Sequence, residues 1–106
     1  MVKNKPEIIS TIKECLKELE KFNIKIEKAI LFGSYANGNY NEWSDIDVAL
    51  VSADFEGDRF IDRIKVRNIT RKINIDFEPL PMRPEDFNSP NPFVKQILKT
   101  GQFIVG

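Results

Sequence analysis

Ala29-Ile30-Leu31-Phe32-Gly33-Ser34-Tyr35-Ala36-Asn37-Gly38, followed after six residues by Asp45-Ile46-Asp47-Val48-Ala49-Leu50-Val51, is the stretch that decides how this chain reads. An apolar run stops at a glycine-serine pair, and a second apolar run opens with two carboxylates. Residues two apart in a strand project from the same face, so Asp45 and Asp47 share one side while Ile46, Val48 and Leu50 share the other. A glycine-serine turn heading a short helix can offer backbone N–H groups to phosphate. Gly33 lacks a Cβ, so an anion can approach the main chain there. Carboxylates for a metal ion and N–H groups for phosphate together suit a metal-bound nucleoside triphosphate.

Working outward, Pro6 fits a first helical position, and Ile8, Ile9, Ile12, Cys15, Leu16, Leu19 and Phe22 recur at three- and four-residue spacing. This predicts an amphipathic helix over 6–22. A first strand is expected over 27–32, a very short helix over 34–36 closed by Gly38, a loop over 37–41, and a second strand over 45–51. Gly57 and Asp58 introduce a helix running to Lys72, with Phe60, Ile61, Ile64 and Ile69 as its apolar stripe. Residues 73–78 alternate and predict a third strand with Asn74, Asp76 and Glu78 on its polar face, ended by Pro79 and Pro81. A proline-rich loop over 79–92, with one helical turn at 84–87, leads to a final short helix carrying Phe93, Ile97 and Leu98 and stopped by Gly101. Residues 102–105 add a last strand or a docked tail. The expected fold class is α/β (α+β), a small mixed β-sheet flanked by helices.

Composition narrows the functions open to such a chain. Its 106 residues suit a single domain, 1–106, with no room for a separate substrate-binding domain. Hydrophobic residues at 42% and charged residues at 30% describe a folded, soluble protein. Sixteen basic residues balance sixteen acidic ones, so a grip on duplex nucleic acid is not supported. Histidine is absent, which removes His-based bases, Ser-His triads and His zinc sites and leaves acid-base and metal work to carboxylates. Cys15 reads as a small core residue. Charges run through the first 25 residues and no stretch approaches membrane-spanning length, so a cytoplasmic protein is expected.

The segment from Gly33-Ser34 to Asp45-Ile46-Asp47 resembles the GS-x10-DxD signature of the polymerase beta-like nucleotidyltransferase superfamily, and the short chain is similar to its minimal nucleotidyltransferase (MNT) branch. The element order follows that branch over nearly the whole chain. The resemblance implies transfer of a nucleoside monophosphate, AMP from ATP, to a hydroxyl. It implies Mg²⁺ held by Asp45, Asp47 and a third acidic residue, Asp76, with Gly33 and Ser34 binding the nucleotide. Asp76 is taken for the third position ahead of Glu78 because of its central place in the expected strand. Relatives in the GSxARG pattern carry an arginine where this chain has Asn37, which weakens phosphate neutralisation.

Chains of this kind also resemble the antitoxin halves of toxin-antitoxin pairs whose partner is an all-helical HEPN toxin. Two alternatives stay open: an inert nucleotidyltransferase-fold module that neutralises a partner by contact, and a small-molecule transferase. A homo-oligomer also stays open. Arg63, Arg67, Arg71 and Lys72 read as a solvated helix face. Trp43 reads equally as a loop anchor or a base-stacking residue, and Tyr35 as packing or facing the nucleotide. Phe55, Phe87 and Phe103 could close the core edge or meet another chain.

Overall fold

The computed structural model describes residues 5–38, 45–89 and 91–106. The elements are α1 (Lys5–Lys21), β1 (Lys28–Phe32), α2 (Ser34–Asn37), β2 (Ile46–Val51), α3 (Arg59–Thr70), β3 (Phe77–Met82), α4 (Pro84–Phe87), α5 (Pro92–Thr100) and β4 (Gln102–Val105). The strands form one mixed sheet in the order β3-β2-β1-β4. β1 runs antiparallel to both β2 and β4, whereas β2 and β3 are parallel. A parallel pair needs a crossover connection, and α3 supplies it.

Alternating side chains give the sheet two apolar faces. Ala29, Leu31, Ile46, Val48, Leu50 and Phe77 pack with Ile8, Ile12, Cys15 and Leu19 of α1 and Val66 of α3. On the opposite face Ile30, Ala49, Val51 and Met82 pack with Phe87, Val94 and Ile97 from α4 and α5. Cys15 is fully buried, as expected of a small core residue. Phe55 and Phe87 are also core residues, while Phe103 remains half exposed. α1 ends where Asn23 takes a left-handed conformation (φ 65°) and the Ile24 N–H bonds back to the Leu19 carbonyl at 3.1 Å.

Two sequence expectations are corrected. The third strand lies over Phe77–Met82, not over 73–78. The Ile73 and Asn74 N–H groups bond to the Thr70 carbonyl, and the Asn74 side chain accepts the Asp76 N–H at 2.7 Å. Local bonding of the helix tail and this side-chain turn therefore claim 71–76 before a strand can form. The prolines continue the strand because β3 is an edge. Carbonyls of Asp76 and Met82 accept from Ile46 and Ser52 at 2.8 and 3.1 Å. Even-numbered residues thus face β2, and Pro79 and Pro81 occupy outward positions that require no N–H.

The second correction concerns α3. Its buried residues are Asp62, Val66 and Thr70, not Phe60, Ile61 and Ile64. Asp58 caps the helix by accepting the Phe60 and Ile61 N–H groups. Asp62 then accepts the Glu56 and Gly57 N–H groups, each at 3.0 Å, and so fastens the preceding turn to the helix. That pairing permits a carboxylate at 2% exposure and sets the rotation of α3 about its axis. Asp62→Ala is expected to destabilise the fold by about 2–3 kcal/mol, because it strands two N–H groups. Urea unfolding of the variant against wild type measures the loss.

Candidate active site

The glycine-serine turn joins β1 to α2. Gly33 adopts φ 72°, ψ −148°, a region that favours glycine, and its carbonyl accepts the Ala36 N–H at 3.1 Å. In the antiparallel register Phe32 pairs with Asp47, which brings the second carboxylate of the DxD pair directly beside the turn. A Cβ at Gly33 would collide with Asp47 Oδ2 and come within 3.2 Å of its Cγ. The glycine therefore makes room for the Asp47 carboxylate. Ser34 is half buried at the same turn, and Tyr35 points into the core at 4% exposure. Trp43 and the loop residues 39–44 lie outside the described residues.

Asp45 is exposed and Asp47 half buried on the sheet face that carries Ala49 and Val51. Burial first, then the neighbouring charges of Asp45 and Glu78, push the Asp47 carboxyl up to about 6. Loss of solvent around the carboxylate, with like charge from Asp45 and Glu78 added to it, produces this effect. Glu78 contributes because β3 lies parallel to β2 with Asp47 paired to Glu78.

Asp76 stands just before β3, exposed, with its carbonyl accepting the Ile46 N–H. It thus enters the sheet at the end where Asp45 lies, rather than in mid-strand. The two acidic residues differ in their partners. Glu78 accepts from Arg63 Nη2 and, at 3.5 Å, from Arg67 Nη1, both reaching across from α3. The Asp76 carboxylate has no such cation among the described residues. Arg63 and Arg67 were legible only as a solvated face, since nothing local in sequence marks a pairing across eleven or fifteen residues. Lys72 likewise leaves that expected face to meet Glu18 of α1 at 2.6 Å.

Beside the carboxylates lies a cavity of about 280 Å³. Phe32, Pro79, Leu80 and Phe93 give it apolar walls, and Asp47, Glu78, Arg59 and Arg63 give it an ionic side. Phe93 stands edge-on to Phe32, ring centres 6.3 Å apart. Sequence reasoning missed this aromatic wall because Phe93 comes from α5, 61 residues beyond Phe32.

Among the described residues no three acidic side chains already converge on one point as a metal cage. Mg²⁺ does not require one, being commonly held by one or two carboxylates with substrate phosphates completing the shell. The hard oxygens of Asp45 and Asp47, their mutual repulsion, and the adjoining turn at Gly33 fit such an ion.

Comparison with known proteins agrees with this geometry. The sequence profile of the nucleotidyltransferase domain matches residues 9–103. MJ1305 of Methanocaldococcus jannaschii, named as a proposed protein adenylyltransferase, is 37% identical over 93 residues, covering 81% of this chain and 62% of that protein. The chain spans 46–62% of the length of the curated relatives it matches. Among solved structures, a proposed nucleotidyltransferase from Sulfolobus solfataricus superposes with a TM-score of 0.62 at 21% identity, covering 92% of this chain and 78% of that one. A toxin-antitoxin crystallised with AMP-PNP gives 0.57 at 24% identity, covering 92% and 73%. The mixed sheet, the seat of Asp47 against Gly33 and the match over 9–103 lead to one conclusion: this chain belongs to the nucleotidyltransferase domain family.

Proposed function

We propose that residues 1–106 act as a single nucleotidyltransferase domain that moves AMP from ATP to a hydroxyl of a partner protein, as the antitoxin of a pair whose toxin is a helical HEPN-type protein. The observation that carries the chemistry is the packing of the Asp47 carboxylate on the Gly33 turn, which joins a cation site to a phosphate site. The protein acceptor draws support from the relatives' name as proposed protein adenylyltransferases. The antitoxin role draws support from the toxin-antitoxin neighbour. A cytoplasmic location fits both. Among the described residues no helix is long and apolar enough to cross a membrane.

In this reading the Ser34 hydroxyl and the N–H groups of the turn hold the terminal phosphates. Mg²⁺, bound by Asp45, Asp47 and Asp76, would neutralise charge developing on the phosphate oxygens. The acceptor hydroxyl oxygen bonds to the α-phosphorus as the bond to the bridging oxygen breaks and pyrophosphate leaves, and Asp76 takes the hydroxyl proton. Glu78 is the tether of Arg63 and Arg67. The cavity beside Phe93 receives the acceptor side chain.

A second reading, an inert module that neutralises its partner by contact, is favoured by the apolar residues exposed on α3 and by Asn37 in place of arginine. Intact mass of the partner after incubation with the chain, ATP and Mg²⁺ separates the two: one added nucleoside monophosphate supports transfer, and its absence supports the module.

Asp45→Asn combined with Asp47→Asn should reduce transfer by at least roughly a thousandfold while the chain stays folded, as read by radiolabel incorporation and circular dichroism. Asp76→Asn should slow turnover by about a hundredfold with ATP affinity retained. Glu78→Gln should stay within about tenfold of wild type; the reverse ranking in single-turnover assays would make Glu78 the third carboxylate.

Asp47 also yields a pH signature for the metal-free protein. Its folded value of about 6 lies above the ordinary 3.8, so the native state holds a proton that the unfolded chain has lost between these pH values. Stability therefore falls as pH rises through that window, and the cost is complete above it. Asp47→Asn should raise the denaturation midpoint in EDTA at pH 7.5 and leave it unchanged at pH 3.5, where both forms are neutral. Mg²⁺ should raise the wild-type midpoint and not that of the variant.

A further inference from the structure

Helix α3 turns outward residues that helices ordinarily bury. Phe60 is 71% exposed, Ile61 49% and Ile64 46%, and Ile75 in the turn beyond is 73% exposed. At 3.6 residues per turn, Phe60, Ile61 and Ile64 share the face opposite Asp62, Val66 and Thr70. The helix cannot roll to cover them, because the Asp62 carboxylate is committed to the Glu56 and Gly57 N–H groups.

Along α3 itself the charges that flank this ridge are cationic. Arg63 and Arg67 flank it on the β3 side, Lys65 on the other, and Arg71 closes its end, where a hollow of about 330 Å³ opens between Ile64, Arg67, Arg71 and Ile75. Of the acidic groups nearby, Asp58 caps the helix, Asp62 is buried and Glu78 holds Arg63 and Arg67, while Asp76 follows Ile75 at the strand entrance, off the helix. Lys65 and Arg71 have no ionic partner among the described residues.

We propose that this face of α3 is a docking surface for a protein partner that presents apolar side chains framed by carboxylates. A contiguous exposed apolar patch marks an interaction site more often than chance, and a cationic frame selects an anionic complement. A second copy of this chain is a poor occupant, since a twofold contact through the same face sets arginine and lysine against each other. A partner seated on α3 would also lie one strand from Asp47, because Arg63 and Arg67 span from this helix to Glu78. That consequence rests on the transferase reading, and the partner chosen for the test rests on the antitoxin reading.

The test is complex formation with the product of the adjacent gene, in EDTA and without nucleotide, followed by calorimetric titration. Phe60→Glu and Ile64→Glu, both at solvent-exposed positions, should each weaken the complex about tenfold or more, with circular dichroism unchanged. Lys17→Glu on α1 should leave it intact, and added salt should weaken the wild-type complex. Undiminished affinity in both α3 variants overturns the proposal, as does the absence of any complex. A concentration-dependent dimer of the isolated chain that Phe60→Glu dissolves also overturns it, by making a second copy the occupant. Binding that follows the α3 pattern without nucleotide transfer would sink the transferase reading alone.

Discussion

The contact between the Asp47 carboxylate and the backbone of Gly33 is the constraint on which the site depends. It exists because β1 and β2 pair antiparallel with Phe32 opposite Asp47, and because residue 33 has no Cβ to fill the space. Any side chain there would both strain a positive φ and evict the carboxylate. The Gly33 turn and the Asp47 carboxylate are consequently one structural unit. The raised affinity of Asp47 for its proton is the electrostatic face of the same crowding.

The rest of the sheet keeps that unit at its rim. Beyond Asp47, β2 is buried on both faces, with Val48 and Leu50 toward α1 and Ala49 and Val51 toward α4 and α5. The polar residues therefore collect at the strand end where the second layer of helices stops. β3, as an edge strand, lends Glu78 to this end and can carry Pro79 and Pro81 without a lost ladder bond. α3 closes the edge and anchors Glu78 through two arginines, whereas the Asp76 carboxylate has no cation partner among the described residues. The sheet buries its apolar faces against α1, α3, α4 and α5, and the apolar ridge on α3 stands outside both clusters.

Where sequence reading went astray, a specific interaction had outweighed periodicity. The stripe of Phe60, Ile61 and Ile64 has helical spacing and pointed to a buried face, yet a carboxylate with two backbone donors was worth burying instead. The alternation over 73–78 was genuine, and still an asparagine turn bonded to the end of α3 displaced the strand by four residues. In both cases the deciding partner was a backbone N–H group, which no hydrophobic pattern records. Tyr35, left open between packing and the nucleotide, proved to be a core residue.

By itself the sequence determined the order of helices and strands, the sharing of one face by Asp45 and Asp47, the turn at Gly33-Ser34 and the family, because these follow from spacing along a strand and from residue chemistry within ten to twenty positions. Only the tertiary structure decided the company Asp47 keeps. The pairing of Glu78 with Asp47, its capture by Arg63 and Arg67, the Phe32–Phe93 wall and the outward roll of α3 all join residues distant in the chain. Strand register and buried hydrogen bonds bring them together, and neither is encoded in local pattern.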